Sequence, residues 1–124
     1  QHSMEHSLSA YHYNIPHGAG LIMISEAFAR FFLEKHACDE QFVKMARAMG
    51  RKDAVRPEEF VTALLDLQKA CGVQDLKMSD YGVSADECMT LAKGARSMQG
   101  GLFAANPCEM TDEDCAEVFR RAYR

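Results

Sequence analysis

Four of the five histidines fall within the first 17 residues, at His2, His6, His12 and His17. Imidazole titrates near neutrality and is the commonest protein ligand for metals, so chemistry is to be sought first at this end of the chain. His2 and His6 are i and i+4 and share one side of a helix, a spacing that metal-binding helices use. His17 follows Pro16, where a helix must break, and a chain reversal there would return its ring toward the first pair. Three neutral imidazoles suit zinc, iron, copper or nickel. Spacing alone leaves other readings open. Gln1-His2-Ser3-Met4 resembles the scar of an expression tag, and ordinary capping or surface roles account for His12 and His36.

These residues must be carried by helices. Strand-like alternation is missing, β-branched residues are sparse, and Ala, Leu, Met, Glu and Lys abound. The pattern predicts an all-α bundle of about six helices in a single domain over residues 1–124. The first helix runs from His2 to about His12, with Met4, Leu8 and Tyr11 near one face. The second starts near His17 and is apolar on almost every side from Leu21 to Phe32, as befits the central element of a core. A third, from Asp39 to Met49, stops at Gly50. The fourth opens at Pro57-Glu58-Glu59, closes at Cys71-Gly72, and offers Phe60, Leu64, Leu67 and Cys71 as its buried stripe. Ser84-Ala85-Asp86-Glu87 reads as a capping box for a fifth helix bearing Leu91, Ala95 and Met98 and ending at Gly100-Gly101. Thr111-Asp112-Glu113-Asp114 opens the last, which packs Cys115, Val118, Phe119 and Ala122.

Composition removes several classes of function. A net charge of −4 and the lack of any Lys/Arg run make nucleic acid a poor partner. The stretch from Leu21 to Leu33 is interrupted by Ser25, Glu26 and Arg30 and is too short to span a bilayer. Five cysteines, without a C-x-x-C pair, read as reduced, small core residues of a cytoplasmic protein. No Gly-rich nucleotide loop follows a strand.

The run from His2 to Leu21, with His-x-x-x-His, a short loop and then Pro16-His17-Gly18 opening an apolar helix, closely resembles the histidine signature of the iron-containing (group III) alcohol dehydrogenases. Asn106-Pro107 followed by Thr111-Asp112-Glu113-Asp114 and a terminal helix is similar to that family's C-terminus. The resemblance implies that the chain is the C-terminal part of the helical domain of the dehydroquinate synthase-like type. It implies that His2 and His17 ligate a divalent metal, Fe2+ first and Zn2+ as the alternative. His6 would correspond to the histidine beside substrate and nicotinamide, a catalytic and cofactor-binding position. NAD or NADP would enter through an N-terminal domain not included in these residues, and the other two ligands would come from upstream. The loop between His6 and His17 is one residue longer than in many members, near His12 and Tyr13.

The small residues Gly18, Ala19 and Gly20 then either admit the nicotinamide at a helix N-terminus or serve loop-to-helix packing. By the same resemblance the Gly100–Asn106 stretch, with Leu102, approaches the substrate cleft or simply connects two helices. The expected activity is interconversion of an alcohol with an aldehyde or ketone, in a protein that forms homodimers. Because Gln1 is not an initiator methionine, these residues are expected to be a piece of a longer protein, and, with two ligands and the cofactor domain lying elsewhere, to be inactive alone. The competing reading is a free-standing helical interaction or metal-sensing module that uses the histidine cluster.

Overall fold

A computed structural model describes Gln1–Arg124. Six helices carry the chain: α1 (His2–Tyr11), α2 (His17–Glu34), α3 (Asp39–Ala48), α4 (Glu58–Ala70), α5 (Cys88–Phe103) and α6 (Asp112–Ala122). Two short 3-10 turns, Met78–Tyr81 and Ala85–Glu87, link α4 to α5, and there is no strand. The core is one continuous cluster containing Met4, Leu8, Ile24, Leu91, Val118 and Phe119. α1 packs on α5, α5 on α6 and α6 on α2, while α3 and α4 form a flanking pair joined to the rest through α2 and α4.

The ends of the helices follow from local chemistry. Gly50 and Gly72 adopt positive φ (98° and 69°) just past α3 and α4, where only glycine does so without strain. His36 takes a similar left-handed conformation after α2 (φ 50°), with Nδ1 2.9 Å from Asp39 Oδ2. It belongs to a helix junction, away from the other histidines. At α6 the Thr111 hydroxyl accepts from the Asp114 amide at 3.1 Å, and Asp114 Oδ2 accepts from the Thr111 amide at 3.0 Å. These bonds to Thr111 hold the Asp114 carboxyl below its ordinary value of 3.8. Thr111→Ala is expected to cost about 1 kcal/mol. The share owed to Asp114 is full above the unfolded carboxyl's titration near pH 3.9 and is lost as pH falls through the lower folded value. Wild type and variant should therefore differ less in urea midpoint at pH 3 than at pH 7.

No capping box forms at Ser84, whose hydroxyl pairs with Asp86, while the Glu87 carboxylate is taken by His12 Nε2 at 2.6 Å. α5 runs past Gly100-Gly101 to Phe103, with a break at Gln99 (φ −144°, ψ 47°). Tyr11 and Met98 are about half exposed. In α4 the buried residues are Phe60, Val61, Ala63 and Gln68; Leu67 and Cys71 are exposed and Leu64 only half-buried. Periodicity located an apolar face correctly, but that face is open. With Leu21, Ile22 and Val73 it lines an apolar groove between α2 and α4. Along it α2 is accordingly not enclosed, and Gln68 Nε2 holds the two helices together by donating to Ser25 Oγ at 2.7 Å.

All five cysteines are free, but Cys71 is exposed and so is no core residue, while Cys88 and Cys115 are buried. Burial pushes the Cys115 thiol up to about 12. A maleimide at neutral pH should thus modify Cys71 first and reach Cys88 and Cys115 only after unfolding, as peptide mapping would show. Labelling of Cys115 in the folded protein would contradict this packing.

Candidate metal centre

α1 places its residues by angular position. Ser3 and Ser7 face α5, where Ser7 Oγ donates to the Leu91 carbonyl at 2.8 Å and Ser3 Oγ reaches the Gln99 carbonyl at 3.5 Å. Met4 and Leu8 enter the core, and Glu5 is wholly buried. His2 and His6 remain on the outer side, exposed and half-buried. The loop through Pro16 then reverses the chain, and His17 becomes the first residue of α2.

The reversal brings the three rings together. Ring centroids lie 5.6 Å apart for His2 and His17, 5.4 Å for His6 and His17, and 6.3 Å for His2 and His6. His12 stays apart, with its Glu87 partner. The donor atoms of His6, His17 and Glu5 all lie within 4.8 Å of one another, close enough for a single cation to reach all three. His2 borders this trio through its ring.

Glu5 and Gln99 were not singled out from the sequence. The Glu5 side chain fills the space that Gly20 leaves on α2: a Cβ there would sit 2.8 Å from Glu5 Cγ. Its Oε1 accepts from the Ser9 hydroxyl, and its Oε2 contacts His17 Nδ1 but accepts no aligned hydrogen bond. Gln99 stands at the break in α5 and sets its Oε1 2.9 Å from His6 Nδ1. Gln99 thereby occupies the Nδ1 edge of His6 and leaves the Nε2 edge unoccupied. A Gln before a Gly-Gly pair was a weak sign of a helix end and carried no hint of this contact.

The glycines divide between the two readings. Gly20 serves packing, against Glu5, whereas nothing lies within 4 Å of a Cβ on Gly18, which leaves open surface beside His17. The Gly100–Asn106 stretch lines a cleft of about 450 Å3 with Arg96, Glu109 and Met110. Its link to the histidines is through the preceding Gln99, and Leu102 is half exposed.

The residues fit a divalent metal: clustered imidazoles, one held at its Nδ1 by Gln99 and another backed at its Nδ1 by the buried Glu5 carboxylate. No helix is long and apolar enough to cross a membrane.

The family model described as Fe-containing alcohol dehydrogenase family, C-terminal, matches residues 1–123. A solved archaeal halo-thermophilic Red Sea brine pool alcohol dehydrogenase bound to NZQ is 27% identical, with a TM-score of 0.87 over 98% of this chain and 32% of that one. A structure of 1,3-propanediol oxidoreductase is 25% identical, with a TM-score of 0.80 over the same 98% and 32%. The chain thus spans about a third of the length of these solved relatives. A search of curated proteins found no match.

Proposed function

Because the chain belongs to the Fe-containing alcohol dehydrogenase family, we propose that it forms the metal-holding part of an NAD(P)-linked alcohol dehydrogenase that interconverts an alcohol with an aldehyde or ketone. The observation that carries this reading is the convergence of His2, His6 and His17 from two helices, with centroids 5.4 to 6.3 Å apart. His2 and His17 hold the divalent metal, iron before zinc, and the remaining ligands and the dinucleotide-binding domain come from the part of the enzyme outside this chain. When bound, the metal supplies Lewis acidity at the substrate oxygen and the nicotinamide exchanges the hydride.

The residues present have their own tasks. His6 would lie beside the substrate oxygen and the nicotinamide when these are bound, where its imidazole could hold or pass a proton at Nε2. Gln99 keeps that nitrogen free by occupying Nδ1. Gly18 leaves the approach to His17 open. Burial of Met4 and Leu8 fixes α1, and with it the direction of both His2 and His6. A homodimer in the cytoplasm is the proposed setting.

The test is the complete gene product, purified without oxygen. Stoichiometric iron or zinc and NADH- or NADPH-dependent reduction of an aldehyde are expected. The 124-residue chain alone should do neither. Absence of both properties from the complete protein would overturn the dehydrogenase reading, and turnover by the isolated chain would overturn its dependence on the remainder.

A further inference from the structure

A glutamate in the first turn of a helix is ordinary when it is exposed, because it meets the positive end of the dipole. Glu5 is not exposed at all. A buried carboxylate is costly unless its oxygens find donors. One oxygen has the Ser9 hydroxyl, and the other has the His17 Nδ1 edge as its neighbour and no hydrogen bond from elsewhere. The room for this arrangement exists because residue 20 has no side chain; a Cβ at Gly20 would stand 2.8 Å from Glu5 Cγ and 2.9 Å from Oε1.

The position of His17 gives the carboxylate a task. His17 is the first residue of α2, so it sits at the positive end of that helix dipole, a place that disfavours a bound cation. A carboxylate directly behind the ring offsets that field. It also bears on which nitrogen is available: Oε2 lies against Nδ1, so Nε2 is the edge left to a cation. Gln99 imposes the same choice on His6, so both rings offer the same kind of edge to the common space.

We infer that Glu5 is the positioning residue of His17: a buried carboxylate, fixed by Ser9 and admitted by Gly20, that orients the imidazole through Nδ1 and strengthens its hold on a divalent cation through Nε2. The inference rests on the reading of His17 as a metal ligand. It adds a partner behind that ligand, of the kind whose loss costs roughly 10- to 100-fold in metal affinity.

The experiment uses the complete gene product loaded with Co2+. Affinity is read by chelator competition and coordination by the visible absorption of the ion. Circular dichroism of each metal-free variant checks folding. In Glu5→Gln the charge is lost and the shape kept, so the affinity should fall about 10- to 100-fold while saturating Co2+ still binds one ion with an unchanged coordination number. Ser9→Ala should move affinity in the same direction by less, and it decides the matter if Glu5→Gln does not fold.

A purely structural role would lower the melting midpoint and leave Co2+ affinity within twofold of wild type, which overturns the proposal. Loss of the ion from Glu5→Gln as complete as from His17→Ala would also overturn it, because Glu5 would then be a ligand itself. Should His17→Ala bind Co2+ as tightly as wild type, the metal reading of His17 fails and the proposal falls with it.

Discussion

Replacing His17 with alanine in the complete protein is expected to remove the stoichiometric metal and, with it, turnover. The loss in affinity should exceed the roughly 10- to 100-fold that follows removal of an outer partner, because a donor atom itself is lost. His2→Ala should behave in the same way. His6→Ala should keep the metal and lose turnover, by on the order of 10²- to 10⁴-fold if its task is proton transfer. Metal content after dialysis, measured beside nicotinamide-dependent rates, separates the three variants. The opposite pattern, with metal lost from His6→Ala and retained by His2→Ala, would exchange their roles. The closeness of the His6 donor to those of Glu5 and His17 makes this comparison the sharpest available.

The second large effect is expected far from any donor atom. α1 and α5 approach closely at Gly94, where a Cβ would lie 2.5 Å from Ser7 Oγ and 3.1 Å from Tyr11 Cε2. Gly94→Val must push these helices apart or displace the buried Ser7 hydroxyl from the Leu91 carbonyl. Overpacking of this kind costs about 1–3 kcal/mol, and an orphaned buried hydroxyl adds about 1–3 kcal/mol. Gly94→Ala should be milder, since alanine recovers up to about 1 kcal/mol of helix propensity. Denaturant midpoints give both values. Pairing Gly94→Ala with Ser7→Gly should recover most of the loss if the clash is its cause. An unchanged midpoint in Gly94→Val would show that α1 and α5 are not in close contact at Gly94. Because α1 carries His2, Glu5 and His6, the valine variant should also weaken metal binding.

Much of this was visible in the residues. Helix periodicity, the proline break and the glycines after α3 and α4 placed five of the six helices close to their observed bounds, α5 being the exception, and His-x-x-x-His followed by Pro16-His17 located the rings. What escaped has a physical pattern. Glu5 reads as a first-turn acid in any linear inspection; only the packing of Gly20 against it makes it buried. Gln99 acts through a break in α5 that no proline announces. Leu64 and Leu67 read as core in the sequence because an amphipathic stripe shows which face is apolar, not whether another element covers it. The Ser84 box failed for a related reason: its glutamate had a better partner, His12, from across the molecule.

The short loop between α1 and α2 bears on how the centre assembles. His2, Glu5, His6 and His17 meet by closing one tight hairpin, and the entropy of closing a chain segment grows only with the logarithm of its length, about 0.6 kcal/mol per doubling. Little freedom is surrendered to gather them. The three imidazoles and Glu5 are therefore gathered locally, on a hairpin fastened to the rest of the bundle along the α5 seam by Ser7 and Gln99. Drift in the sequence of α3 or α4 can proceed without retuning the centre, whereas change along the α5 seam cannot.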